Sequence, residues 1–246
     1  MINKILLQKK LINIFFKLLP RQCIVCDSES ESCICSYCLP ALPFLNAYCE
    51  KCGLPLNKIK EVNEQIDVTC VFCANNISDF NKFITVFNYK DPIKTLIKEF
   101  KYYNNLVYQK ALGDFLLDKI LSKYSNNSFP QVIIPIPNYK GKLKSRGYNQ
   151  AIELARYLSK KLNVPLDLNY VIKVKETLSQ VGLDREERLQ NLKDSFCIKE
   201  SKNYRHIAIV DDVVTTGTTV INIKNIINSD INNVIIDVWC LAKQQI

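Results

Sequence analysis

The chain holds one histidine, one tryptophan and six glycines among its 246 residues. Its histidine, His206, opens an apolar strand and reads as structural. Its tryptophan, Trp239, lies in an apolar run near the C-terminus and reads as core, which removes it as a stacking platform for bases. No Gly-x4-Gly-Lys-Thr/Ser run is present, which excludes a P-loop ATPase in this chain. There is no long basic run. No apolar stretch reaches the roughly 20 residues that span a bilayer. The nearest, Met1 to Pro20, is interrupted by Lys9, Lys10 and Lys17. No small-residue cleavage site follows it, which argues against a secretory signal. The expectation is an amphipathic helix over residues 1–20, packed on the body of a cytoplasmic protein. The alternative is a helix lying on a membrane surface, which would make the protein peripheral to the inner membrane.

An apolar content of 48% with 23% charged residues is that of a soluble globular protein, long enough for one or two domains. The net charge of +9 favours anionic partners: sugar phosphates, nucleic acid or a membrane surface. The plainer reading of that charge is a lysine-rich solvated surface.

Cysteine is concentrated rather than scarce. Nine of the eleven lie between Cys23 and Cys73, and eight of these form Cys-x-x-Cys pairs: Cys23/Cys26, Cys35/Cys38, Cys49/Cys52 and Cys70/Cys73. Such pairs make the knuckles of thiolate zinc sites, and two knuckles complete a tetrahedron of four sulfurs. Four knuckles predict two Zn²⁺ ions. The simplest pairing is sequential, with an interleaved scheme as the alternative. Disulfides would need an oxidising compartment, and a redox pair would not need four copies. Sites built only from thiolates are closed, so the predicted role is structural. Cys33 is spare, and Cys197 and Cys240 read as small core residues.

The chemistry concentrates in His206-Ile-Ala-Ile-Val-Asp-Asp-Val-Val-Thr-Thr-Gly-Thr-Thr219. Ile207 to Val210 read as a buried parallel strand, with Asp211 and Asp212 at its carboxyl end. A hydroxyl-rich loop, Thr215, Thr216, Gly217, Thr218 and Thr219, then opens into a helix with Val220, Ile223, Ile226 and Ile227 on one face. Ligands of open α/β sheets bind outside the carboxyl ends of the strands. A loop entering a helix N-terminus presents N–H groups and a positive dipole end to a phosphate. Two carboxylates should repel such a ligand unless they accept hydrogen bonds from its hydroxyls. A sugar phosphate satisfies both demands. The bland alternative is an ordinary strand–turn–helix crossover with a polar turn. The segment resembles the binding signature of type I phosphoribosyltransferases: apolar strand, two acids, two spacers and a Thr/Ser-Thr/Ser-Gly-x-Thr loop.

Strand and helix patterns alternate through the rest of the chain. Strands are predicted at Phe83–Tyr89, Val132–Pro137, Val171–Val174 and Val234–Leu241. Helices are predicted at Pro92–Tyr103, Leu106–Leu121 and Gln150–Lys161. The fold class is therefore α/β: a mostly parallel sheet flanked by helices, plus a small N-terminal double zinc ribbon. The predicted divisions are 1–20 helix, 21–80 zinc ribbons and 81–246 phosphoribosyltransferase-like domain. The loop after Pro137 is basic. Its Lys144, Arg146, Gly147 and Asn149 would hold a second phosphate group, whereas the bland reading is a solvated basic loop.

Arg146-Gly-Tyr-Asn-Gln-Ala151 and the stretch from Gln180-Val-Gly-Leu183 through Arg188-Leu-Gln-Asn191 to Phe196 resemble motifs of the ComF family. The double zinc ribbon is also that family's arrangement. Asn138-Tyr139 depart from it, standing where many members carry Leu-His. The resemblance implies binding of phosphoribosyl pyrophosphate (PRPP) with Mg²⁺ and a link to natural competence, in which single-stranded DNA enters the cytoplasm. It assigns Asp211 and Asp212 to the ribose hydroxyls as the catalytic acids, the threonine loop to the 5′-phosphate, and the Lys144–Asn149 loop to the pyrophosphate. Lys175 to Asn191 would close over the site. A competence helicase or ATPase is the partner this implies. A catalytically silent nucleic-acid-binding adaptor that keeps the same fold is the rival reading, and a PRPP-sensing transcriptional co-regulator is a third.

Overall fold

A computed structural model describes residues 22–56, 69–75, 80–103, 106–124, 128–139, 149–175 and 195–244. The N-terminal helix predicted over 1–20, the basic residues Lys144, Arg146 and Gly147, and most of the predicted lid at 175–191 lie outside them. Two compact units divide between Leu42 and Pro43. Among the described residues no helix is long and apolar enough to cross a membrane.

The unit ending at Leu42 is built on cysteine turns. Cys23 N–H donates to Ser28 O at 2.8 Å, and Asp27 N–H to Cys23 O at 2.8 Å. Asp27 takes a left-handed φ of 59° to close that turn. Cys35 and Cys38 lie on a tighter turn, with Cys38 N–H on Cys35 O at 3.1 Å and Leu39 N–H on the same oxygen at 3.0 Å. That turn runs into one 3-10 turn at Leu39–Ala41.

The unit from Pro43 onward repeats this backbone and then builds the sheet. Cys49 N–H donates to Leu54 O at 2.9 Å, and Gly53 N–H to Cys49 O at 2.8 Å. Gly53 occupies the left-handed position of Asp27, with φ 72°. Here glycine is needed for space as well: a Cβ would stand 2.4 Å from the Phe83 ring. The last knuckle is helical, with Cys70 leading into α1 (Val71–Asn75) and Ala74 N–H on Cys70 O at 2.9 Å.

The elements that follow are β1 (Phe83–Asn88), α2 (Ile93–Tyr103), α3 (Leu106–Lys123), β2 (Val132–Pro135) and α4 (Gln150–Leu162). After these come β3 (Val171–Lys173), β4 (Phe196–Ile198), β5 (His206–Val214), α5 (Thr218–Asp230) and β6 (Ile235–Lys243). Among the described residues four strands form one parallel sheet in the order β1-β6-β5-β2. Its strands read as continuous apolar runs because both faces are covered. Helices α3 and α4 pack on one face. On the other, Val220, Ile223 and Ile227 of α5 join Ile207, Ile209, Ile236 and Val238 in one core, with Tyr170, Val171 and Phe196 from the β3–β4 region. β3 and β4 pair antiparallel as a separate ribbon. Segment 43–50 runs along the outer edge of β1, through Asn88 N–H on Pro43 O, Leu45 N–H on Val86 O and Phe83 N–H on Glu50 O.

Two strands run past their predicted ends. β5 continues beyond Val210 to Val214, so Asp211 lies within the pairing, opposite Cys240. β6 continues to Lys243. Both extensions follow from mutual pairing: Val213 meets Ala242 and Val214 meets Lys243. A polar residue can hold a strand when its backbone partner is in place.

Candidate functional site

All four strands of the main sheet are parallel, so Asn88, Pro135, Val214 and Lys243 end on one edge, the edge where ligands of such sheets bind. Asp211 and Asp212 lie just inside it. Asp211 Oδ1 accepts the Asp212 N–H at 2.9 Å. Strand alternation places the Asp212 side chain in a buried position and leaves Asp211 half-buried. The chain then turns through Thr215-Thr216-Gly217 into α5. Gly217 caps the helix with φ 84° and ψ −3° and has no side chain to donate or accept. A Cβ there would meet nothing nearer than 3.9 Å. The glycine is therefore required by its backbone conformation rather than by crowding. Thr216 and Thr218 hydroxyls lie 2.8 Å apart, and Thr218 N–H reaches Thr216 Oγ1 at 3.5 Å. The first turn of α5 carries no acidic residue, so the positive end of the helix dipole is not neutralised from within.

The basic loop is rooted beside these acids. Ile136 N–H donates to Val210 O at 2.9 Å, one residue before Asp211. Asn149 Nδ2 donates to Ile136 O at 3.0 Å. Its Oδ1 accepts from Ala151 N–H at 2.9 Å and from Ile152 N–H at 3.4 Å, which caps α4. Both ends of the loop between Asn138 and Asn149 are thus fixed next to Asp211.

The cysteines form two groups, Cys23/Cys26/Cys35/Cys38 and Cys49/Cys52/Cys70/Cys73. Within each, all Sγ atoms lie within 4.8 Å of one another. The pairing is sequential, and the interleaved alternative does not occur. Cys26 and Cys35 sulfurs are 3.8 Å apart, as are those of Cys52 and Cys70. A tetrahedral ion with bonds of about 2.3 Å has edges of about that length. Cys35 N–H points at Cys23 Sγ from 3.3 Å, and Cys73 N–H at Cys70 Sγ from 3.5 Å. The electrostatics suit a cation. Burial would raise the Cys23 thiol, but N–H groups of Cys35, Val25 and Cys26 outweigh it and bring the pKa down to about 6. Cys38, hydrogen-bonded to Cys26 and facing its neighbours, is pushed up to about 12. Cys52 also rises to about 12, through burial and the Cys49 charge. Thiolates crowded in this way repel one another until a divalent cation neutralises them.

No family model matches the chain. Competence protein F of Haemophilus influenzae is 32% identical over 230 residues, covering 90% of this chain and 96% of that protein. The chain belongs to the competence protein F family. DNA utilization protein YhgH of Escherichia coli K12 is 30% identical over 212 residues, covering 85% of this chain and 90% of that protein. Competence protein ComFC of Bacillus subtilis is 25% identical over 226 residues. Among solved structures, adenine phosphoribosyltransferase of Leishmania tarentolae covers 63% of this chain and 90% of that one, at 12% identity and a TM-score of 0.33. A likeness that slight carries no weight beside the strand order.

In this member of the competence protein F family the fold brings together Asp211, Asp212, Thr215, Thr216, Gly217, Thr218 and Thr219, with Asn149 at the root of the neighbouring loop. One charged residue at the same edge escaped the sequence reading. Lys243 closes β6 and is 4% exposed. Its Nζ donates to Thr215 O, the first carbonyl of the threonine loop, and to Gln244 O at 3.2 Å. A lysine ending an apolar strand was the available signal. Its meaning depended on β5 pairing as far as Val214.

Proposed function

We propose that this chain binds PRPP with Mg²⁺ on the carboxyl edge of its sheet and acts in natural competence, in the uptake and handling of incoming single-stranded DNA. The observation that carries the reading is the continuity from Asp211 and Asp212 on β5, through a threonine loop, into a helix N-terminus whose cap residue is the left-handed Gly217. The acids accept the ribose hydroxyls. Thr215, Thr216, Gly217, Thr218 and Thr219 receive the 5′-phosphate. Lys144, Arg146, Gly147 and Asn149 belong to the pyrophosphate loop. In that loop Asn149 acts by fixing its root, since its amide already holds Ile136, Ala151 and Ile152. When bound with PRPP, Mg²⁺ would neutralise charge on the pyrophosphate. Pentosyl transfer would develop positive charge on the sugar, which the neighbouring carboxylates stabilise. The two cysteine groups hold one structural Zn²⁺ each.

The relatives' names, competence protein F and DNA utilization protein YhgH, support the process. A competence helicase or ATPase is the partner this process calls for, and the setting is the cytoplasm. A second reading, a silent nucleic-acid adaptor on the same fold, is favoured by the net charge of +9. Its binding to single strands would weaken steeply with salt.

Titration calorimetry with PRPP, with and without Mg²⁺, tests the site. Wild type should bind, and the Asp211→Asn/Asp212→Asn variant should not bind while keeping its circular dichroism spectrum. Equal affinity in the two proteins would sink the site. Absence of binding in wild type, together with salt-dependent retention of single-stranded DNA, would put the adaptor first.

A further inference from the structure

We infer that Lys243 is a positioning residue for the anion cradle, turning the Thr215–Thr216 peptide so that the Thr216 N–H faces the ligand and placing a positive charge behind the loop. The identity of that ligand as a phosphate monoester rests on the reading above. The geometry of Lys243 does not.

Lys243 is the last residue of β6, in register with Val214 on one side and Asn88 on the other. The backbone around it is fixed: Gln244 N–H donates to Val214 O at 3.0 Å, and Tyr89 N–H to Lys243 O at 3.0 Å. The side chain therefore starts from a rigid platform and lies under the first residues of the threonine loop. Its Nζ donates to Thr215 O and Gln244 O. In a trans peptide the carbonyl and the following N–H point in opposite directions. A Thr215 carbonyl turned inward to the ammonium sends the Thr216 N–H outward, to the side where Gly217 opens the backbone. A cradle for an anion needs its N–H groups turned that way before the ligand arrives.

The charge is the second half of the argument. Among the described residues no carboxylate forms an ion pair with Lys243. The nearby Cys240 thiol is fully buried, and its burial pushes it up to about 12, so it offers no negative charge. Cys52, a sulfur of the second cysteine group, also acts on Lys243 electrostatically. The hydrogen-bond partners of Lys243 Nζ among the described residues are the two carbonyl oxygens, and an ammonium held by carbonyl dipoles is costly to bury. Burial accordingly draws the Lys243 ammonium below its ordinary value. A dianionic phosphate in the loop would add counter-charge on the ligand side. A lysine kept for stability alone would be better replaced by an apolar side chain of its length.

That difference gives the test. Lys243→Met removes donor and charge, whereas Lys243→Gln keeps an N–H donor without charge and serves should the methionine variant fold poorly. Two readouts are taken on the full chain: hydrogen exchange of the 215–220 amides without ligand, and titration calorimetry with ribose 5-phosphate. For Lys243→Met, loop exchange should accelerate and affinity should fall about tenfold or more, the scale of one hydrogen bond to a charged group. Its melting temperature should stay level or rise. For Lys243→Gln, loop exchange should stay near wild type while affinity falls. Wild-type loop exchange and wild-type affinity in Lys243→Met would overturn the inference. So would a loss of binding that only tracks a loss of stability. A wild type that binds neither ribose 5-phosphate nor PRPP would sink the ligand assignment instead. Loop exchange would then still decide whether Lys243 sets the peptide.

Discussion

The only histidine of the chain, His206, places Nε2 2.6 Å from Oδ2 of Asp237, a carboxylate with no solvent exposure. The same carboxylate accepts the Tyr124 hydroxyl at 2.5 Å, Asn81 Nδ2 at 2.8 Å and Lys82 N–H at 2.9 Å. Tyr124 in turn accepts from Trp239 Nε1 at 3.0 Å. This network joins the starts of β5 and β6 to α3 and the approach to β1, at the edge opposite the threonine loop. It is structural, and it explains how one acid sits inside an apolar sheet: all its lone pairs face donors. Replacing Asp237 with Ala would leave those donors buried and unpaired. We expect a loss of about 3 kcal/mol or more in urea unfolding, with no change in ligand affinity per folded molecule. A loss below about 1 kcal/mol would mean that water or neighbouring groups satisfy the donors.

The cysteine groups belong to different compact units, which separates their consequences. Elemental analysis should find two zinc ions per chain. Cys23→Ser and Cys49→Ser should each retain one. The Cys49 knuckle is continuous with segment 43–50, which is hydrogen-bonded along β1. Cys49→Ser should therefore also lower the melting temperature of the sheet, whereas Cys23→Ser should leave that transition in place. Full zinc content in both variants would refute the four-thiolate sites.

Asp167 carries a pH-dependent part of the stability. Burial opposes its ionisation. Lys202 Nζ at 2.6 Å, the Asn169 N–H at 2.9 Å and the Tyr204 hydroxyl at 2.9 Å more than offset that and hold its carboxyl below the usual aspartate value. Its folded value is thus lower than the roughly 3.9 of an unfolded chain. Its stabilisation is complete above that unfolded value and disappears as pH falls through the lower folded one. Unfolding free energy measured from pH 6 down to pH 2.5 should drop less steeply in Asp167→Asn than in wild type. Parallel curves would remove Asp167 from the acid response.

The sequence made the candidate site legible to different depths. Asp211, Asp212 and the threonine loop could be read directly, because their chemistry lies in one continuous run whose strand, turn and helix signals are local. The cysteine sites were legible for the same reason, since each Cys-x-x-Cys pair folds on itself. The repeat behind them was not. Asp27 and Gly53 take the same left-handed turn, but only the backbone relates an aspartate to a glycine. Asn149 was readable as a polar residue in a basic loop. Its work as the cap of α4 and the tie to Ile136 required strand β2 and helix α4 to be side by side.

What the sequence alone determined is the type of each element, the eight sulfur ligands and the threonine loop that follows the two acids, all of which rest on periodicity and on residues close together in the chain. The tertiary structure decided how far β5 and β6 extend, because a polar strand end persists only when its partner's backbone is there to bond it. It also decided that the knuckles pair in sequence. Finally, it brought Lys243 beneath Thr215 and Asp237 beside His206, Tyr124, Asn81 and Lys82. Those contacts join residues separated by 28 to more than 150 positions. Their energies depend on burial and exact direction, which no local pattern in a chain encodes.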